Sequence, residues 1–198
     1  DMKKLLKKIK GRQDLALELF ATGNLDAMYL AALVADGKQM SKRELERWAR
    51  QARWNGISEY CVPWVACESH FARELALAWI DAKQEHVAAA GWNSYGGIVC
   101  TRPDAELDQA EIRALLARIE KEIARAQNRV RYCMNCFVIS VGAYVKPLNA
   151  LAKGTAKRLG VVEVDMGGTA CKVPPALAYI EHIESLGRLG KKRKTMRC

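Results

Sequence analysis

Two cysteines in "NRVRYCMNCFVISVGAYV" (residues 128–145), Cys133 and Cys136, have the C-x-x-C spacing of zinc knuckles and redox motifs. On a helix they lie one turn apart, where two thiolates can share a metal. A structural zinc site needs four ligands, and neither the other cysteines nor His70, His86 and His182 supply a second pair at ligand spacing. The strand-to-helix setting of a thioredoxin-like site is missing. The stretch is otherwise apolar, and cysteine is often buried as a small hydrophobe. Packing is the expected role, and no metal or other cofactor is expected.

The five tryptophans, Trp48, Trp54, Trp64, Trp79 and Trp92, form a second set, with Arg47, Arg50 and Arg53 close in sequence to the first two. An indole face stacks on a nucleobase or holds a cation, although a single tryptophan more often wedges between helices. Trp54 stands apart, because Gly56 is expected to end a helix beside it and Glu59 follows. A carboxylate beside an aromatic ring at a helix mouth stabilises developing positive charge, and equally offsets a helix dipole. Arg129 and Arg131 open a predicted helix, where guanidinium and backbone N–H groups meet phosphate. Salt bridges to Glu120 or Glu122 are the competing arrangement. "DMGGTACKVP" (165–174) lacks the spacing of a phosphate loop, and its glycines are expected to make turns that dock the basic C-terminal tail.

Charge is concentrated at the ends. Residues 1–12 hold six basic side chains against one acid, and residues 188–198 hold six against none, leaving 20 basic and 21 acidic side chains between. Such clusters fit a polyanion, because each neutralised phosphate releases a counterion; solvated tails are the plainer alternative. Seven scattered cysteines fit reduced thiols, not a disulfide framework. With no long apolar segment, the protein is expected to be soluble and cytosolic, with no membrane partner.

Helical spacing of apolar residues dominates the chain. It predicts helices over 13–21, 24–36 with Asn24 as a cap, and 42–53 behind a Ser41/Glu44 capping box. Another follows Gly56, with Ser58 as a cap and Pro63 confined to the first turn or a kink. Further helices are expected over 69–81, 85–99, 107–126, from 128, 147–159 and 176–186. "VVEVD" (161–165) alternates but is short and has no partner, so it is expected to be an extended connection. Without a sheet to cover, these stripes bury against one another. The predicted architecture is a single all-α domain over 1–198, with a basic N-terminal helix and a basic tail over 188–198. A curved stack of helical hairpins fits this better than a four-helix bundle.

The segments "RWNGISEYCVPWVACESHFARELALAWIDAKQEHVAAAGWNSY", "NRVRYCMNCFVISVGAYVKPL" and "DMGGTACKVPPALAYIEHIESLGRLGKKRKTMRC" together resemble the bacterial DNA alkylation repair family built from HEAT-like repeats. The similarity runs from about Val34 onward and is greatest to an uncharacterised branch with the long C-terminal segment. The resemblance implies a C-shaped α-solenoid, a HEAT-like helical-hairpin superhelix, that holds alkylated double-stranded DNA as a monomer. Active relatives excise cationic N3- and N7-alkylpurines, using an aspartate to stabilise an oxocarbenium-like sugar, as in glycoside hydrolysis.

Carried onto this sequence, the resemblance implies that Glu59 stands for the catalytic aspartate. Trp54 and Trp92 would contact the lesion, and Arg129, Arg131, Lys191, Lys192, Arg193 and Lys194 would hold phosphates. The sequence departs from the active pattern in two places. Asn55 replaces a second tryptophan, and in "NCFVI" Cys136 or Phe137 replaces an aromatic lesion contact and Ile139 an arginine. These departures leave a non-catalytic module for damaged or distorted DNA or RNA as the alternative, and a protein-interaction solenoid as a third reading.

Overall fold

The computed structural model describes residues 2–197, and every regular element among them is helical. The helices are α1 (Met2–Ile9), α2 (Gln13–Ala21), α3 (Leu25–Val34), α4 (Lys42–Gln51), α5 (Val62–Ala66), α6 (Ala72–Ile80), α7 (Glu85–Thr101), α8 (Gln109–Glu122), α9 (Asn128–Tyr144), α10 (Asn149–Leu159) and α11 (Ala176–Ser185). Residues 161–165 run as an unpaired connection, as the isolated alternation predicts. No helix among the described residues is long and apolar enough to cross a membrane. The chain divides into two compact units, the first running to Tyr95 and including Arg197, the second spanning Gly96–Met196.

In the first unit the caps predicted for α3 and α4 form. The Asn24 side chain accepts from the Ala27 N–H at 3.1 Å at the start of α3. Glu44 Oε2 accepts from the Ser41 N–H at 2.8 Å, while Ser41 Oγ accepts from the Glu44 N–H, closing the capping box of α4. The apolar stripes of α2 and α4 meet in a stack of Phe20 on Trp48, with ring centroids 3.8 Å apart and planes 5° from parallel. Trp64 packs edge-on to Tyr29 at 5.7 Å. Trp48, Trp64, Trp79 and Trp92 are all buried, the expected fate of a tryptophan among helices.

In the second unit α9 packs against α8, α10 and α11. A Cβ at Gly142 would lie 2.5 Å from Ile180 Cδ1, so the close seating of α11 on α9 requires a residue without one. Cys133 is fully buried in α9 and Cys136 half-buried, with Phe137, Val138 and Val141 fully enclosed around them. The pair lies in the packing surface of this helix, and no group of three metal-binding side chains comes together among the described residues.

α8 and α10 are tied by Glu120, which accepts from Thr155 Oγ1 at 2.6 Å and from Arg158 Nη2 and Nε at 2.6 and 2.9 Å. The Arg158 guanidinium, with help from Thr155, holds the Glu120 carboxyl below its ordinary value of 4.5 against the opposing effect of burial. A depressed carboxylate contributes stability that is complete above 4.5 and is lost as pH falls through the folded value. A Glu120→Gln variant is therefore expected to melt roughly 2 °C below the parent at neutral pH. Melting curves recorded from pH 7 to pH 3 should show that difference closing in acid.

Candidate nucleic-acid interface

α4 ends at Gln51, where Ala52 (φ −75°, ψ 68°) leaves the helical path, and helix resumes at residue 55. Gly56 is thus inside the next helix (φ −60°, ψ −31°) and does not break the preceding one, contrary to the expectation from glycine alone. Its role is steric. A Cβ there would lie 2.5 Å from the Trp54 ring, so the missing side chain lets the indole lie across the helix start. The Trp54 carbonyl accepts from the Ile57 and Ser58 N–H groups, both at 2.9 Å, which fixes this turn. Ser58, expected as a cap, is buried behind it.

Trp54 is 53% exposed, in contrast to the other four tryptophans. It lines a cleft of about 580 Å³ with Phe20, Met28, Arg50, Arg53 and Ile57. An accessible indole face over an apolar floor, edged by two guanidinium groups, has the composition of a base-stacking platform beside a phosphate site.

Nine residues beyond Trp54 the chain meets Pro63, which has no N–H to donate and whose ring would collide with the Glu59 carbonyl four residues back. The helix answers by widening into a π-helical turn over Ile57–Cys61, in which the Val62 N–H reaches the Ile57 carbonyl. The freed Glu59 carbonyl accepts from Asn93 Nδ2 at 2.7 Å. Glu59 itself is 1% exposed and does not line the cleft. Trp92, on α7, is 0% exposed. In this conformation both side chains are enclosed and neither lines the cleft beside Trp54. The sequence could not foresee it, since burial of the helix face that carries Glu59 depends on the widened turn and on α7.

The cationic candidates lie in the second unit. Arg129 donates to Met166 Sδ at 3.2 Å and stacks over Tyr132 at 4.6 Å. The loop over 165–174 docks on the start of α9, with Asn128 Nδ2 donating to the Asp165 carbonyl and the Asp165 N–H donating to Asn128 Oδ1, both at 2.7 Å. This loop therefore covers α9, and not the tail as its glycines suggested. Arg131 donates to Asn128 Oδ1 at 3.5 Å and its Nε is buried without a partner. The glutamates anticipated as their partners are bonded elsewhere, Glu120 to Arg158 and Glu122 to Arg118.

The basic tail is anchored. The Gly190 N–H donates to the Ala143 carbonyl at 2.8 Å and the Arg193 N–H to the Cys100 carbonyl at 2.9 Å. Lys192 Nζ lies 2.9 Å from the Val99 carbonyl and 2.8 Å from Asp104 Oδ1, so this lysine ties the strap to the protein. Farther on, in the first unit, Arg197 Nη2 bridges Glu68 at 2.5 Å. Arg188, Lys191, Arg193 and Lys194 remain exposed. Tyr144 and Arg188, which were not singled out from the sequence as ligands, line one hollow with the strap. The basic run pointed toward Arg188, but nothing in the sequence signalled Tyr144.

The family described as DNA alkylation repair enzyme matches residues 1–150. Uncharacterised proteins of Listeria innocua (Lin0241) and Listeria monocytogenes (Lmo0209) are each 31% identical over 185 residues, covering 91% of this chain and 79% of the relative. A solved structure described under "A new family of proteins related to the HEAT-like repeat DNA glycosylases with affinity for branched DNA structures" matches with a TM-score of 0.91 and 36% identity. That match covers 100% of this chain and 84% of the other. The fold is thus the all-helical, HEAT-like one that the segment resemblance implied.

Proposed function

Because this chain belongs to the DNA alkylation repair enzyme family, we propose that it binds branched double-stranded DNA as a monomer in the bacterial cytosol, without excising bases. The observation that carries the second half is the burial of Glu59, at 1% exposure and outside the cleft. Cleaving an N-glycosidic bond requires a carboxylate beside the sugar to stabilise the oxocarbenium-like transition state and position water. A cationic alkylpurine leaves readily, but an enclosed carboxylate cannot reach its sugar. The side chains at the remaining family positions add to this reading, since Phe137 and Ile139 are buried and Cys136 is half-buried.

Binding has independent support. At a branch point, stacking is already interrupted, so a base meets an indole without the full cost of unstacking. Trp54, flanked by Arg50 and Arg53, supplies that platform. Lys191, Arg193 and Lys194 supply exposed charge in the second unit. The solved relative's described affinity for branched DNA has the same character.

The test compares a four-way junction with a linear duplex of equal length by fluorescence anisotropy across salt concentrations. Tighter junction binding is expected, with log K falling against log salt at a slope of about −4 for four or five phosphates. A flat slope and no preference would sink the reading in favour of a protein partner. Single-turnover release of 7-methylguanine and 3-methyladenine, measured alongside, is expected to stay at background. Release above background that vanishes in Glu59→Gln would instead establish a glycosylase whose helix opens on DNA.

A further inference from the structure

The second unit holds a hollow of about 390 Å³ lined by Tyr144, Ile183, Arg188, Lys191, Lys192 and Arg193. Its walls are positioned by backbone, not left to a mobile tail. The Gly190 N–H is tied to Ala143, the Lys191 N–H to the Arg188 carbonyl at 3.1 Å and the Arg193 N–H to Cys100, while Lys192 is locked to Asp104. Arg188, Lys191 and Arg193 form no ion pair among the described residues, and the nearby Glu184 is bonded to Lys153 at 2.8 Å. Burial raises the Tyr144 phenol above its ordinary value, which keeps it an O–H donor. Three uncompensated cations and a phenol thus share one small hollow, with one apolar side chain beside them.

We infer that this hollow binds a phosphate monoester, and that the monoester is the terminal phosphate of a DNA strand end. A monoester is close to a dianion at neutral pH and offers three acceptor oxygens. Two guanidinium groups and an ammonium match that charge and fork geometry better than they match an internal diester, which has one charge and two free oxygens. A hollow of this volume admits a small ligand, whereas a duplex presents its internal phosphates on a broad convex surface. The inference rests on the DNA-binding reading for the source of the phosphate, but not for the chemistry of the hollow.

The test titrates the full chain with three single-stranded oligonucleotides of one sequence, ending in a 5′-phosphate, a 5′-hydroxyl, or a 5′-phosphate capped as a propyl diester. The monoester is expected to bind about tenfold tighter than either of the others. An Arg188→Gln/Arg193→Gln variant that melts like the parent is expected to abolish the difference. Thymidine 5′-monophosphate is run in parallel: equal affinity for it would assign the site to free nucleotides, and weaker affinity to strand ends. Equal binding of all three oligonucleotides, or discrimination that survives in the variant, overturns the proposal. A hydroxyl-ended four-way junction separates the two readings. Junction binding without monoester preference removes only the hollow's role, and monoester preference without junction binding removes only the branched-DNA reading.

Discussion

A Trp54→Ala variant is expected to bind a four-way junction about ten- to a hundredfold more weakly than the parent, while its melting temperature stays nearly unchanged. The magnitude follows from the 1–3 kcal/mol that base–aromatic stacking contributes by alanine substitution, roughly 1.4 kcal/mol being a tenfold change. The separation from stability follows from exposure. The indole is 53% accessible and lies over Gly56 at a helix start, so its removal opens no enclosed cavity. Trp54→Phe keeps a ring in place and should recover most of the affinity. Anisotropy titrations with one fluorescent junction measure all three proteins. Unchanged binding in Trp54→Ala would remove the cleft from the interface.

The opposite pattern is expected at Trp48. A Trp48→Ala variant should lose about 3–5 kcal/mol of stability, which for a chain of this size lowers the melting temperature by roughly 10 °C or more. The ring is fully buried and stacked on Phe20 at 3.8 Å, so alanine removes both its burial and the stack. Trp48→Phe should cost much less, because it retains a ring against Phe20 and removes an indole N–H that is buried without a hydrogen-bond partner. Chemical denaturation with a common m-value tests the ordering. An alanine variant as stable as the phenylalanine one would mean that this stack does not hold α2 to α4.

These two tryptophans also mark how far the sequence could be read. Both lie near arginines in one stretch, and Trp54 was set apart from the rest by Gly56, expected to end a helix beside it, and by Glu59 close behind. The all-helical class, the Asn24 cap, the Ser41/Glu44 box and the packing role expected for the cysteine pair were legible because each depends on neighbours within a few residues. Glu59 was legible as a carboxylate close behind Trp54, but not as a buried one. Its accessibility depends on the π-helical turn before Pro63 and on Asn93 more than thirty residues away.

The sequence by itself determined the helices, their caps, the basic ends and the one aromatic ring placed at a break between helices, since local propensity, spacing and charge are properties of short segments. Tertiary structure decided which of those side chains meet solvent. It enclosed Glu59 and Trp92, covered Arg129 with the 165–174 loop, locked Lys192 to Asp104, and gathered Tyr144, Arg188, Lys191 and Arg193 around one hollow. Accessibility and convergence are set by contacts between segments far apart in the chain, and no local pattern encodes them.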